Sequence, residues 1–326
     1  MLRLSFLFGI FLCFFSITAT CSQVDYIVIP FQTKGKTIVI QGSVNGRVGN
    51  LILDTGIPKM VLNATYAESA SLFSNKEFGG VQSIDGTVHN GGISLISLAI
   101  QEFSAKIGAD VLDLKPIERQ KGINILGIVG LNLFRKYEFE IDFFSKEIRL
   151  YRLDKKGVRR MLQPQALPSQ TLSLRYEGDL PCITANLNGK SLQLGLDTGA
   201  EINLLSAKLF EESSDQFKNV QTKILMDLTG KRSAAFSAQT DGLQIGVIDM
   251  PVVNALFVPL NTHYGGIGGK NIDGLLGYEF FQHFRTAINF KKRQVYLWDA
   301  RAIENEQMLL ITLGQKNLNR VGAKKT

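Results

Sequence analysis

The sequence predicts a mainly β protein made of two homologous lobes with short helices. Three observations support this fold class: an internal duplication, hairpin turn signals at equivalent places in both halves, and glycine-bounded apolar runs typical of strands. With 326 residues, the chain has room for two domains of about 150 residues each. A hydrophobic fraction of 45% and a charged fraction of 20% are typical of a folded globular protein.

The duplication is clearest where each half begins. Asn45-Gly46 lies between strand-like segments and is followed by Asp54, and Asn188-Gly189 is followed in the same way by Asp197. The offset from one half to the other is 143 positions at both landmarks. Because Asn and Gly both tolerate positive φ, Asn-Gly is a strong signal for a tight hairpin. Each half is therefore predicted to start with a hairpin that leads to an aspartate.

The far ends of the two halves also match. Gly130 and Gly277 each end an apolar run, 147 positions apart. A short helix is predicted after each run, with Phe134 or Phe281 facing inward, followed by a last strand. Trp298, near the end of the second of these strands, is predicted to be a core residue.

A second hairpin is predicted in the middle of each half. Its turn is Asp85-Gly86 in the first half and Thr229-Gly230 in the second. The basic, proline-bearing stretch 152–168 is the expected boundary between the halves. The predicted organisation is a leader at 1–22, an N-terminal lobe at 23–155, a C-terminal lobe at 156–300 and a basic tail at 301–326.

The first 22 residues have the order of a secretory signal: a basic start, an apolar run and a small, polar end. Export to a periplasm or outer surface is therefore expected, with an uncleaved N-terminal anchor as one alternative. Cys21 offers a second alternative, a lipid anchor that would associate the protein with a membrane. Cys182 opens an apolar strand-like run and is expected to be a buried structural thiol. Cleavage of the leader would leave it alone or with a lipidated Cys21, so no disulfide framework is expected.

The net charge of +7 does not predict nucleic-acid binding. Much of the excess lies in one linker and in the tail, and both are expected to be solvated. No aromatic residues interleave these clusters, as a single-strand binding groove would require. The basic residues concerned are Lys155, Lys156, Arg159 and Arg160 in the linker and those from Arg320 to Lys325 in the tail.

The tripeptide Asp-Thr-Gly occurs at Asp54 and again at Asp197, each time after an apolar run. A single copy would indicate little more than a strand followed by a turn. Two copies at equivalent places in a duplication point to a shared function, because the duplication alone does not explain why both halves kept an acid.

These motifs, with Ile128-Val129-Gly130 and Leu275-Leu276-Gly277 downstream, resemble those of the aspartic protease family, and the bacterial aspartyl-protease-like proteins in particular. The resemblance covers about residues 25–300. It implies a bilobal acid-protease-like fold of two β-barrel-like lobes, with a cleft between them. It also implies the following site residues: Asp54 and Asp197 as catalytic acids, Thr55, Gly56, Thr198 and Gly199 as their support, and Asp85, Gly86, Thr229 and Gly230 as substrate-binding hairpin residues.

The chemistry that such a pair performs explains the residue types. Two carboxylates about 3 Å apart cannot both ionise, so they share a proton. One can then activate water as a general base while the other polarises the scissile carbonyl. No metal or cofactor is needed, and the three histidines, His89, His263 and His283, are too scattered to predict a metal site.

Several positions depart from the family pattern. Ile57 and Ala200 stand where pepsin-like enzymes usually have a hydroxyl that stabilises the carboxylate anion. A milder pH optimum than that of pepsin is therefore expected. The first-lobe hairpin contains no Tyr, and Glu201 could bias the site toward basic side chains.

The predicted function is that of an aspartic-type endopeptidase acting on polypeptide, as a monomer. The alternative is a catalytically inactive peptide- or glycan-binding protein with the same fold, which the missing hydroxyl groups and Tyr favour. A single-lobe protease that must dimerise is disfavoured, because both halves lie on one chain.

Overall fold

The computed structural model describes residues 26–67, 72–73, 81–82, 88–89, 92–160, 166–226, 232–260, 272–308 and 311. Over these residues the protein is mainly β and bilobal, as predicted. Strands of the first half are β1 (Tyr26–Lys34), β2 (Thr37–Val44), β3 (Arg47–Asp54), β4 (Val61–Asn63), β5 (Leu72–Phe73), β6 (Val81–Gln82), β7 (Val88–His89), β8 (Ile93–Ile100), β9 (Phe103–Leu112), β10 (Ile125–Gly130), β11 (Tyr137–Asp142) and β12 (Glu147–Arg152).

The second half repeats this order with local changes. Its strands are β13 (Gln170–Ser173), β14 (Arg175–Glu177), β15 (Leu180–Leu187), β16 (Lys190–Leu196), β17 (Asn203–Ser206), β18 (Lys218–Met226), β19 (Arg232–Thr240), β20 (Leu243–Ile245), β21 (Ile248–Asp249), β22 (Val253–Val258), β23 (Gly274–Leu276), β24 (Arg285–Asn289) and β25 (Gln294–Trp298). The helices are short: α1 (Lys115–Lys121), α2 (Ala207–Glu212), α3 (Tyr278–Phe281), 3-10 turns at Ala64–Tyr66, Leu131–Phe134 and Ser214–Gln216, and a helical stretch at 300–308.

The first lobe is a closed barrel of six strands. Their order is β2-β3-β10-β4-β9-β8, and β8 returns to pair with β2 at Ser43↔Ala99. The predicted hairpin joins β2 to β3, with φ of 50° at Asn45 and 82° at Gly46, as a tight primed turn requires. Alternating burial along β8 shows that every second side chain enters the barrel.

The second lobe repeats the ring with a broken closing strand. Its order is β15-β16-β23-β17-β22-β19, and the chain bends after β19 so that β20 pairs with β15 at Asn186↔Gln244. This pairing is the counterpart of Ser43↔Ala99 in the first lobe. The predicted hairpin is again present, with φ of 49° at Asn188 and 89° at Gly189.

A six-stranded antiparallel sheet joins the lobes, and each half supplies three of its strands. The order is β13-β25-β24-β11-β12-β1, with β11 and β24 paired at the centre. On one face, Phe139, Ile141 and Ile288 belong to a hydrophobic cluster that runs through both lobes. The other face carries charged side chains, among them Glu140, which is fully buried. The sheet therefore fixes one lobe against the other.

The linker after β12 covers the charged face of this sheet, which corrects one prediction. Arg159 was expected to be solvated, but it forms ion pairs with Glu138 and Glu140 and lies 3.9 Å from the centre of the Tyr151 ring. The reason is that acidic side chains recur at every second position of β11 and so lie on one face of the sheet, where buried carboxylates need cationic partners. Its neighbour Arg160 is exposed, as predicted.

The helical stretch 300–308 packs on the same face. Glu306 binds Arg285 of β24 at 2.5 Å, and Ile303 contacts Trp298 in a small apolar cluster. Trp298 is buried, as predicted, and donates from Nε1 to the Ala166 carbonyl at 2.9 Å. The basic residues from Arg320 onward lie outside the described residues.

Other core predictions are also confirmed. Short helices follow β10 and β23, and the rings of Phe134 and Phe281 are completely buried. Cys182 is completely buried as well, and burial raises the pKa of its thiol to about 12, which makes it a poor nucleophile. Within the described part of the chain, no helix is both long enough and apolar enough to cross a membrane.

Candidate active site

The two Asp-Thr-Gly loops leave equivalent strands at the centre of the molecule. Asp54 ends β3 and pairs with Gly130 of the parallel strand β10. Asp197 follows β16, whose last residue, Leu196, pairs with Leu276 of the parallel strand β23. Both aspartates therefore stand at the ends of strands that are buried on both sides, where their position is tightly fixed.

The two loops bring Asp54 and Asp197 together. Their side chains are hydrogen-bonded to each other, and the two residues are only 5% and 3% exposed. The glycines of the motifs permit this contact, since a Cβ at Gly56 would overlap the Asp197 carboxylate and one at Gly199 would overlap that of Asp54. The tripeptide thus supplies both the acid and the space that the opposite acid occupies.

The threonines of the motifs cross-link the loops. Thr55 N–H donates to Thr198 Oγ1 at 3.0 Å, and Thr198 N–H donates to Thr55 Oγ1 at 2.9 Å. Each hydroxyl also donates to the strand before the opposite motif, to Leu196 O at 2.8 Å from Thr55 and to Leu53 O at 3.3 Å from Thr198. These four bonds are buried and nearly symmetric, so they hold the two loops at a fixed separation.

Backbone amides contact both carboxylates, but not equally. Gly56 N–H donates to Asp54 Oδ1 and Gly199 N–H to Asp197 Oδ1, each at 2.8 Å. The N–H of Ile57 also bonds the Asp54 carboxylate, whereas Ala200 N–H donates to the main-chain oxygen of Asp197 at 3.2 Å. Ile57 therefore replaces part of what a hydroxyl at this position would supply.

The pKa of Asp54 lies well above its usual value. Burial is the main cause, followed by the charge of Asp197 and the hydrogen bond to it, while the amides of Gly56 and Ile57 oppose the shift. Two buried carboxylates in contact cannot both be ionised at low cost. The pair is therefore built to hold one proton between its members.

The segments that contain Gly130 and Gly277 are hydrogen-bonded to the two catalytic loops. Leu131 N–H donates to Ile57 O at 3.1 Å, and its counterpart Tyr278 N–H donates to Ala200 O at 2.8 Å. In the second lobe, Asn203 adds a buried contact by accepting from Gly277 N–H at 2.9 Å. This role of Asn203 was not predictable from the duplication, because Met60 stands at the equivalent position of the first lobe.

The predicted substrate-binding residues, Asp85, Gly86, Thr229 and Gly230, lie outside the described residues. The strands that flank them are paired as the predicted hairpins require. In the first lobe β6 pairs antiparallel with β7, and in the second lobe Met226 of β18 pairs with Arg232 of β19. A role for these turns in binding stays a prediction.

Glu201 is already paired, which removes the support for a preference for basic side chains. Its carboxylate accepts from Thr37 Oγ1 at 3.2 Å and forms an ion pair with Lys121. Burial lowers the pKa of Lys121. Thr37 and Lys121 were not predictable as partners of Glu201, since both are distant along the chain and neither belongs to a motif.

A metal centre has no basis in the part of the chain that the structure describes. That part contains no group of three or more His, Cys, Asp or Glu side chains able to hold a metal ion. What the site can do chemically is carry and transfer a proton between two carboxylates, beside water or a substrate.

Comparison with known families agrees with this geometry. Residues 183–280 match the model of an aspartyl protease family. The matched segment includes Asp197-Thr198-Gly199 and Leu275-Leu276-Gly277, so it contains both motifs of the second lobe. No curated protein matches the chain. The family match supports a protease-type function and an aspartyl protease family for this protein.

Proposed function

We propose that this protein is an aspartic-type endopeptidase in which Asp54 and Asp197 are the catalytic residues. The observation that carries the proposal is the contact between two buried carboxylates, each held by its own loop and by the threonines of the opposite loop. A mainly structural pair of buried acids would be unfavourable, because burial without a cation disfavours the charged form. A catalytic role in proton transfer would explain why two acids are buried together despite this energetic cost.

The mechanism follows from one proton shared by two carboxylates. The ionised member takes a proton from a water molecule, which attacks the scissile carbonyl carbon. The protonated member donates a hydrogen bond to the carbonyl oxygen and stabilises the charge that develops there. Proton return to the leaving amine breaks the C–N bond and restores the pair to its starting state.

The proposed substrate is an extended polypeptide, and the proposed location is outside the cytoplasm. Support for export comes from the signal-like order of residues 1–22, with a lipid anchor at Cys21 as the membrane-associated form. Membrane fractionation of cells that express a tagged chain, with and without the Cys21→Ser change, would separate the soluble form from the anchored form.

Cleavage of an unfolded protein tests the enzymatic proposal. Purified protein is incubated with unfolded casein from about pH 3 to pH 8, with and without pepstatin, beside Asp54→Asn and Asp197→Asn variants. Asp241→Asn is a matched control, because Asp241 is an exposed acid in a surface ion pair with Lys218. Turnover is expected in the wild type and the control only.

Two results would contradict the proposal. Turnover that survives either active-site substitution would exclude the assigned mechanism. A folded wild-type protein that cleaves nothing at any pH would instead favour the peptide- or glycan-binding alternative.

A further inference from the structure

Glu201 is held by two side chains of the opposite lobe. Thr37 Oγ1 donates to its carboxylate at 3.2 Å, and Lys121 Nζ pairs with the same oxygen. Thr37 begins β2 and Lys121 ends α1, so both belong to the first half of the chain. The Lys121 side chain is 11% exposed and the Glu201 side chain 41%, so water screens this pair from the Glu201 side only.

A second ion pair crosses the lobes beside this one. Lys36, next to Thr37 in the β1–β2 turn, binds Glu279 of α3 at 2.6 Å. The residue before Glu279 is Tyr278, whose N–H donates to Ala200 O at 2.8 Å and so supports the Asp197 loop. We name the resulting cluster the interlobe latch; it consists of Lys36, Thr37, Lys121, Glu201 and Glu279.

The duplication provides an internal comparison for Glu201. At the equivalent position in the first lobe stands Pro58, and the equivalent of Thr37 is Leu180. Neither can form the polar contact. Proline restricts the backbone of the first loop covalently, because its ring fixes φ. The second loop lacks this restriction and is held by side-chain contacts to Glu201.

The Lys36–Glu279 pair, in contrast, has a counterpart with reversed charge. Asp179 stands at the position equivalent to Lys36, and it binds Arg135 at 3.2 Å and Asn132 at 3.1 Å. Ion pairs between lobes therefore occur on both sides of the molecule. The contacts of Glu201 occur on the Asp197 side only.

We propose that Glu201 is a positioning residue that holds the Asp197 loop in the geometry needed for catalysis, with Lys121 and Thr37 as its anchors. This inference rests on the proposed proteolytic function. Glu201 lies four residues after Asp197, and Gly199 between them is in contact with the Asp54 carboxylate. A displacement of Glu201 would therefore change the separation of the two acids, and displacements of about 1 Å can cost about 100-fold in rate.

Kinetics of Glu201→Gln and Lys121→Met on a peptide substrate test this role. We expect kcat to fall by about 5- to 50-fold with KM within about twofold of wild type, because geometry is disturbed while substrate contacts remain. The reciprocal exchange, Lys121→Glu with Glu201→Lys, restores the ion pair and is expected to recover most of the lost kcat. The matched control is Glu212→Gln, which removes the exposed pair with Lys190 in the same lobe.

Amide hydrogen exchange supplies a readout that does not depend on activity. Peptides covering residues 197–203 are expected to exchange faster in both single variants than in wild type or in the Glu212→Gln control, because local opening of the loop becomes easier. If wild type is inactive while these peptides still exchange faster in the variants, the proposed function fails and the latch stands.

Three results would overturn the inference. Unchanged exchange in residues 197–203 would show that Glu201 does not hold the loop. A change confined to KM would place Glu201 in substrate binding instead. Failure of the reciprocal exchange to restore either kcat or slow exchange would show that the ion pair is not the anchor.

Discussion

The proton shared by Asp54 and Asp197 has a consequence for stability. The pKa of Asp54 is raised in the folded protein by burial and by Asp197, so the folded state binds more protons than the unfolded state above the ordinary carboxyl pKa. The contribution of this carboxyl to stability is then greatest below that ordinary pKa and is lost as the pH rises through the folded-state value. The catalytic pair is thus a site where function reduces stability.

We therefore predict that Asp54→Asn reduces the loss of stability with rising pH. An amide in this place cannot ionise, so the variant avoids the cost of a second buried charge beside Asp197. The measurement is the urea midpoint of wild type and variant at a series of pH values from about 4 to 7.5. Parallel curves for the two proteins would contradict the prediction, and Asp241→Asn serves as the exposed control.

Ala200 determines a second prediction at this scale. Ala200 directly follows the second Asp-Thr-Gly motif and carries no hydroxyl, and its N–H donates to the main-chain oxygen of Asp197. We expect Ala200→Ser to shift the midpoint of the acidic limb of the kcat/KM profile to a lower pH, by about 0.5–1 pH unit, because a hydrogen bond to the anion favours ionisation. Ala105→Ser, on strand β9, is the control. A midpoint that is unchanged or lies at a higher pH would show that the residue after the motif does not set the pH dependence.

Single residues differed in how far the sequence could place them. Asp54 and Asp197 were predictable, because a repeated tripeptide at a constant offset is visible in the chain itself. The contacts of Glu201 and of Arg159 were not, because their partners are distant in sequence and belong to no repeated pattern. A charged residue shows its type in the sequence but not the partner that will neutralise it.

Among the structural elements, the two catalytic loops depend on each other through their threonines. We predict that Thr198→Val destabilises the protein by about 1–3 kcal/mol, because it leaves the buried Thr55 N–H without its acceptor. Activity should fall in the same variant, since the loops lose a cross-link. Thr198→Ser keeps the hydroxyl and is expected to lose much less of both. Urea unfolding and kcat measure the two effects, and equal losses in the two variants would contradict the role of the hydroxyl.

Hairpins were the elements that the sequence predicted best. Asn45-Gly46 and Asn188-Gly189 specify tight turns locally, so the strands beside them could be paired without further information. The division of the closing strand into β19 and β20 was not predictable, because it depends on which edge of β15 remains available. Local chemistry determines turns, whereas ring closure depends on distant strands.

At the scale of the molecule, the duplication predicted two lobes but not the sheet that unites them. The strands of that sheet come from both ends and from the middle of the chain, and their pairing leaves no periodic signal in one segment. Burial of Glu140 among three arginines illustrates the point. Burial alone would raise its pKa, but Arg159, Arg285 and Arg149 together hold the pKa below its usual value.

The ion pairs on the charged face of this sheet should therefore stabilise the whole molecule. We predict that Arg159→Met destabilises the protein by about 3–5 kcal/mol, because Glu138 and Glu140 would be left buried with less compensating charge. Arg160→Met, at the exposed neighbouring position, should change stability by less than about 0.5 kcal/mol.

Urea unfolding of the two variants, followed by fluorescence of Trp298, measures this difference. Trp298 is suited as the probe because it lies on the same face of the sheet and contacts the guanidinium groups of Arg159 and Arg285. If the sheet holds both lobes in register, activity in Arg159→Met should disappear at the same urea concentration as the folded signal. Loss of activity at a urea concentration well below that of unfolding would mean instead that the linker acts on the catalytic pair directly. Equal stability of the two variants would show that the buried ion pairs of Arg159 do not stabilise the sheet that joins the lobes.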